Sequence, residues 1–143
     1  MKTTVDLTQL VSAIGDAVVV CDTAGNITLW NGAAERMFGF TEDEALGRSL
    51  DLIIPQRLQQ RHWDGYRTTM ETGHTRYGSD VLKVPAVNKS GGALSIAFTV
   101  ALLRDASGAV SGIAAVIRDE TARFQEDREL RKRLAALEAR ASA

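Results

Sequence analysis

The side chains with the widest chemical scope in this sequence are His62, His74, Cys21, Trp30 and Trp63. His62 shares a four-residue repeat with Leu58, Tyr66 and Met70, which on a helix places all four on one stripe. An imidazole in an apolar stripe needs a partner, because its ring nitrogens are costly to bury unpaired. A backbone carbonyl or Tyr66, one turn away, would satisfy it structurally; as a neutral ring it can also ligate a metal. His74 follows Gly73 on a polar stretch, and a ligand role for it has less support than for His62. Cys21 is the single cysteine, so it makes no internal disulfide and builds no cysteine-rich zinc site. It lies in the β-branched run Ala17-Val18-Val19-Val20-Cys21, where a small core residue is expected. The indoles of Trp30 and Trp63 suit either packing or stacking on a flat ligand. There is no P-loop, no Gly-x-Gly-x-x-Gly after a strand, no His-Glu-x-x-His and no Gly-x-Ser-x-Gly. The expectation is therefore a protein that is not an enzyme.

The elements that would position these residues follow from periodicity and turn chemistry. Leu7, Leu10, Val11 and Ile14 give one apolar face to a short helix over Val5–Ile14. The Ala17–Cys21 strand meets Asp22-Thr23-Ala24-Gly25-Asn26, a turn, and then Ile27-Thr28-Leu29-Trp30, the return strand of a hairpin. Ala33–Phe38 reads as a short helix closed by Gly39. Thr41 and Glu44 form a capping box for the next turn, and Asp51-Leu52-Ile53-Ile54 stops at Pro55. The His62 stripe requires a longer helix, from about Gln56 to Thr72, with Gly73 just beyond it. Val81–Val87, Ala93–Leu103 and Val110–Arg118 read as strands separated by Asn88–Gly92 and Asp105–Gly108. In the middle one, Leu94, Ile96, Phe98, Val100 and Leu102 alternate with period two, the mark of a half-buried antiparallel strand.

Beyond Asp119 the composition changes. Leu130, Leu134, Leu137 and Ala141 are spaced 4, 3 and 4, a coiled-coil seam among Glu, Arg, Lys and Ala. Such a helix either packs on its own domain or pairs with a partner. Lys and Arg number 17 against 18 Asp and Glu, for a net charge of −1, and this balance does not point to nucleic acid. No segment approaches the roughly 20 apolar residues of a membrane span, and the N-terminus has no apolar signal core. A cytoplasmic protein without membrane or nucleic-acid partners is expected.

Several motifs, in order, resemble the PAS domain family. Asp16–Ile27 resembles its first hairpin, Trp30-Asn31-Gly32-Ala33-Ala34-Glu35 with Phe38-Gly39-Phe40 its Asn-x-Ala-Ala-Glu helix, and Glu44-Ala45-Leu46-Gly47-Arg48-Ser49-Leu50 its Glu-Ala-x-Gly turn. Gly112–Thr121 resembles the last strand, which ends in Arg-Asp-x-Thr. The resemblance covers about residues 7 to 121. It implies an α+β fold: a five-stranded antiparallel sheet with short helices and one long helix on one face, plus N- and C-terminal amphipathic helices. It divides the chain into an N-terminal helical cap (1–15), a PAS sensor domain (16–121) and a C-terminal signalling, coiled-coil helix (122–143).

Ile53-Ile54-Pro55 followed by His62 and Tyr66 is similar to the haem-binding PAS subgroup, in which a histidine on the long helix ligates iron. The resemblance thus implies haem b with His62 as metal ligand, lined by Tyr66, Met70, Val81, Leu82, Ile96 and Phe98, with Arg67, His74 and Arg76 near the propionates. The sequence departs from the subgroup's oxygen sensors at Ser79-Asp80-Val81-Leu82, which lacks their arginine or methionine, and Tyr66 lies four rather than three residues after the histidine. CO, NO or redox sensing is easier to reconcile with this than oxygen. The competing implications are a PAS dimerisation or interaction module without cofactor, and a flavin-binding redox sensor. The flavin photoreceptors' reactive cysteine has no counterpart in Asn31–Glu35. Expected partners are a second copy through the terminal helices and a histidine kinase or other signalling protein.

Overall fold

A computed structural model describes residues 4–75, 78 and 80–142 of the chain. Helix α1 (Leu7–Ala13) begins where the Asp6 carboxylate accepts a hydrogen bond from Gln9 N. Strands β1 (Ala17–Asp22) and β2 (Ile27–Trp30) form the opening hairpin. In its turn the Asp22 carboxylate accepts from Ala24 N and Asn26 N, both at 2.9 Å, and Gly25 takes φ +87°. Helices α2 (Gly32–Phe38) and α3 (Glu42–Ala45) follow, and the Thr41–Glu44 capping box is formed in both directions. The apolar run before Pro55 becomes a 3₁₀ turn, Leu50–Ile53. Helix α4 spans Gln56–Thr72 and ends on Gly73 at φ +70°. Strands β3 (Leu82–Val87), β4 (Ala93–Arg104) and β5 (Val110–Asp119) lead into helix α5 (Thr121–Ser142).

The sheet is antiparallel throughout, in the order β2-β1-β5-β4-β3. The first and last strands are therefore neighbours, with Ala17 opposite Ile117 and Cys21 opposite Ile113. Side chains alternate between faces along a strand. This register gathers Ala17, Val19 and Cys21 with Ile113, Ala115, Ile117, Ile96 and Phe98 on one inner face. Helix α2 packs its buried Ala33, Ala34 and Phe38 into that core beside Trp30 and Ile27. Pro85, which cannot donate to a ladder, lies on the edge strand β3.

One polar residue holds the entrance to this arrangement. Asn31 is 6% exposed and caps α2 by accepting from Ala34 N at 3.0 Å. Its Oδ1 also accepts from Val18 N, while Nδ2 donates to Val11 O and Asp16 O. Four hydrogen bonds thus tie α1, β1 and α2 together, and every polar atom of the buried amide is used.

The terminal helices leave their apolar stripes uncovered. Leu7 and Leu10 of α1 are exposed, and α5 has no buried residue along its 22-residue length. Of the two arrangements open to the C-terminal seam, packing along its own domain is not the one adopted. No helix is long and apolar enough to cross a membrane among the described residues.

Asn31→Ala removes a helix cap and orphans two carbonyls. It is expected to lower the unfolding free energy by about 2 to 3 kcal/mol, read as a lower urea midpoint at unchanged slope.

Candidate functional site

Helix α4 carries the residues singled out for chemistry. Of the stripe Leu58, His62, Tyr66 and Met70, Tyr66 is buried and the others are half-buried, so the stripe faces inward as its spacing requires. Two aromatic rings attach the helix to the rest of the domain. The Tyr66 hydroxyl donates to the carbonyl of Asp22 at the end of β1. Trp63 Nε1 donates to the Asp51 carboxylate at 2.6 Å, and its ring covers Gly25, where a Cβ would stand 2.2 Å from a ring carbon. At the far end Arg104 donates to Gly73 O at 2.7 Å and to Gly108 O at 3.1 Å, which pins the close of α4 to the β4–β5 hairpin.

His62 lies between these anchors. Its ring meets Trp63 edge-on with centroids 4.5 Å apart and lies 5.8 Å from Tyr66. Nδ1 is buried and has no hydrogen-bond partner among the described residues. Tyr66, the partner nearest in sequence, is engaged with Asp22. Burial lowers the imidazole's proton affinity below its ordinary value, with the Asp51 carboxylate opposing part of that shift. The ring is therefore held neutral, the form that binds metals. Burial also pushes the Tyr66 hydroxyl well above its usual range and the Cys21 thiol up to about 12, so neither supplies an anion.

Leu82 and Phe98 are register partners on β3 and β4, and Ile96 shares their face two residues along. Ile96 is buried, while Leu82 and Phe98 are half-buried. Val81 precedes β3 and is 59% exposed. Arg67 is exposed and pairs with Asp64 at 4.0 Å; His74 is exposed beyond the end of α4. Arg76 lies outside the described residues. The structure joins Tyr66 and Met70 of α4 with Ile96 and Phe98 of the sheet in one apolar cluster, with His62 beside Tyr66, Leu82 at the register position of Phe98, and Arg67 and His74 at the surface. An open groove of about 480 Å³ lies between α4 and the β1–β2 turn, lined by Thr23, Ala24, Trp63, Tyr66, Arg67, Met70 and Glu71, and so shares Tyr66 and Met70 with the inward stripe. Asp51, Asp22, Gly25 and Arg104 were not legible as site residues. Each acts through a distant contact, and Asp22 and Gly25 carry only the signal of a turn.

Gly112–Thr121 ends in a latch. The Asp119 carboxylate accepts from Thr121 N at 2.9 Å and from the Thr121 hydroxyl, and that hydroxyl accepts from Ser95 N at 3.0 Å. Glu120 N donates to Ser95 O. The Arg-Asp-x-Thr motif therefore roots α5 on both β5 and β4.

An open antiparallel sheet with its first and last strands paired and a long helix attached to the opening hairpin defines a small α+β domain. The family model for the PAS fold matches residues 6–119, and the chain belongs to that family. An uncharacterized protein of Azorhizobium caulinodans is 32% identical over 118 residues, 82% of this chain and 16% of its own length. Sensor protein FixL of Bradyrhizobium diazoefficiens is 38% identical over 68 residues, 46% of this chain and 14% of that protein. Oxygen sensor protein DosP of Escherichia coli is 24% identical over 112 residues, 78% of this chain and 14% of that one. The chain spans 14 to 16% of the length of these relatives. Among solved structures, the PAS domain of a Colwellia psychrerythraea protein matches with a TM-score of 0.71 at 19% identity, over 81% of this chain and 95% of that one. An RNA-binding Light-Oxygen-Voltage receptor matches with a TM-score of 0.70 at 21% identity, over 91% of this chain and 36% of that one. At such identities the likeness is one of fold.

Two outcomes follow. The unfolded chain binds a proton at His62 more readily than the folded one, so stability present above the ordinary imidazole range falls as pH drops through it. Urea unfolding at about pH 7.5 and about pH 5.5 is expected to show that loss in the parent and a smaller one in His62→Gln. Gly25→Ala places a methyl group on the Trp63 ring at a positive φ, and should cost about 2 kcal/mol or more by the same assay.

Proposed function

We propose that this PAS domain is a sensor that binds haem b through His62 and reports a diatomic gas or a redox change to a signalling partner. The observation that carries the reading is the buried Nδ1 of His62 on the inward stripe of α4, which has no partner among the described residues. A protein rarely keeps a buried imidazole nitrogen without a partner unless something outside the chain uses the ring. The residues present suit the group. A neutral imidazole offers the ligand, and the half-buried Leu82, Phe98 and Met70 offer apolar surface that a flat macrocycle would cover. Arg67 and His74 lie at the exposed end of α4 and just beyond it, where they can meet propionates. The names of two relatives, a sensor protein and an oxygen sensor protein, support the class of function.

When bound, haem supplies an iron that takes a small gas ligand or changes oxidation state. The chain's own residues do the rest. Trp63 and Tyr66 fix the azimuth of α4 and hence of the His62 ring, through Asp51 and the Asp22 carbonyl. Leu82, Ile96 and Phe98 offer no hydrogen-bond donor to a bound gas, which suits CO or NO better than oxygen. A strain on α4 passes through Tyr66 to the end of β1, where Asp22 is the register partner of Gly112 on β5. From β5 it reaches α5 through the Asp119–Thr121–Ser95 latch. The exposed stripes of α1 and α5 are the output surfaces, toward a second copy and a histidine kinase or similar partner. Signalling requires that the ligand bind the two arrangements unequally.

The test is an absorption spectrum of the full chain titrated with hemin. Stoichiometric uptake with a Soret band that survives gel filtration, and that is lost or shifted in His62→Ala, is expected. No uptake by a folded parent protein would overturn the haem reading and leave an interaction module.

A further inference from the structure

Asn31 is followed by Gly32, and an asparagine before a glycine is the least durable amide a chain can carry. Glycine has no Cβ to shield its backbone nitrogen, which is then free to approach the preceding side-chain carbonyl carbon. The other two asparagines, Asn26 and Asn88, precede Ile27 and Lys89, whose side chains stand in the way of that approach. In the fold the Asn31 amide is fully engaged. Its Oδ1 accepts from Val18 N at 2.9 Å and Ala34 N at 3.0 Å, and Nδ2 donates to Val11 O at 2.8 Å and Asp16 O at 3.1 Å. The backbone at Asn31 is extended, with ψ 178°, which holds Gly32 N out of the plane of the five-membered ring that an attack would close.

We infer that Asn31–Gly32 is a site of spontaneous deamidation, suppressed by the folded domain and exposed in the unfolded chain. In the reaction Gly32 N gives up its proton and attacks Asn31 Cγ. The new C–N bond closes a succinimide ring, and the Cγ–Nδ2 bond breaks to release ammonia. Water then opens the ring at either carbonyl and leaves aspartate or isoaspartate at position 31. No electron is transferred, and water is the only reagent consumed. Neither product rebuilds the junction. An aspartate keeps acceptors for Val18 N and Ala34 N but has no donor for Val11 O and Asp16 O. It also sets a carboxylate against those two carbonyls at a position only 6% exposed. An isoaspartate carries the main chain through Cγ, so the side-chain cap of α2 is lost and its first turn is displaced from β1. The junction of α1, β1 and α2 thus records time spent unfolded, and each long excursion removes molecules from the pool able to fold.

The test incubates the full chain at one mildly alkaline pH with and without denaturing guanidinium, and follows position 31 by mass spectrometry of proteolytic peptides. In guanidinium, conversion at Asn31 is expected to outpace that at Asn26 and Asn88 in the same sample. In native buffer it should be roughly a hundredfold slower or more, limited by the small population of open molecules. On dilution from guanidinium, the fraction that fails to regain the native fold should equal the fraction converted. Gly32→Ala supplies the second arm. A Cβ there stands 3.3 Å from Arg36 Nη1 and 3.6 Å from Ser12 O, which a flexible arginine tip accommodates, so this variant folds. It should convert severalfold more slowly in guanidinium and keep its refolding yield. Conversion at Asn31 that is equally fast folded and unfolded, or absent when unfolded, overturns the proposal. So does a converted chain that regains the parent's urea midpoint, or a Gly32→Ala chain that loses its refolding yield as fast as the parent.

Discussion

Helix α4 depends on the polar tips of two aromatic side chains. It is 17 residues long, yet Tyr66 is its single buried residue, far less than a helix of that length needs to hold itself by apolar burial. The Tyr66 hydroxyl on the Asp22 carbonyl and the Trp63 indole on the Asp51 carboxylate supply the missing restraint. Both are directional, so they set the rotation of the helix as well as its position. Gly25 is the complement of that attachment, since only a residue without Cβ lets the Trp63 ring lie on the hairpin turn. Everything the candidate site can do follows from this. The rotation that satisfies Trp63 and Tyr66 is the one that buries His62 Nδ1 without a partner.

The same attachment connects the site with the rest of the domain. Asp22 holds its turn with its carboxylate and α4 with its carbonyl, and it ends the strand that pairs with β5. The β5 strand in turn ends in the residues that root α5. A chain of hydrogen bonds therefore runs from the long helix through the sheet to the C-terminal helix, each link between rigid elements. Whether a displacement travels along it depends on α5 having two arrangements to choose between.

Much of the fold was legible in the sequence, because its signals were local. The hairpin at residues 17–30, the capping box at Thr41 and Glu44, and the span Gln56–Thr72 with Gly73 match the expected boundaries to within a residue. Each depends on periodicity or on a turn residue within a few positions. The N-terminal helix is shorter than Val5–Ile14, ending where Ile14 turns extended. The apolar run before Pro55 gave no sign of its 3₁₀ form. In the site, the inward stripe of α4 and the shared face of Ile96 and Phe98 follow from spacing, whereas Leu82 joins them only through the β3–β4 register. Asp51 and Arg104 did not emerge, since an acid 12 residues before its indole and an arginine 31 residues after its carbonyl carry no periodic signature.

The sequence by itself determined which residues form helices and strands, which face of each is apolar, and that a histidine stands on an apolar stripe. Those properties arise from side-chain alternation and backbone preference over short stretches of chain. Only the tertiary structure decided the sheet order β2-β1-β5-β4-β3 and the partner of Tyr66, and with them the isolation of the His62 ring. It also decided that the stripes of α1 and α5 stand in solvent rather than against the core. These are matters of which surface meets which, and a surface finds its neighbour through contacts between segments far apart in the chain.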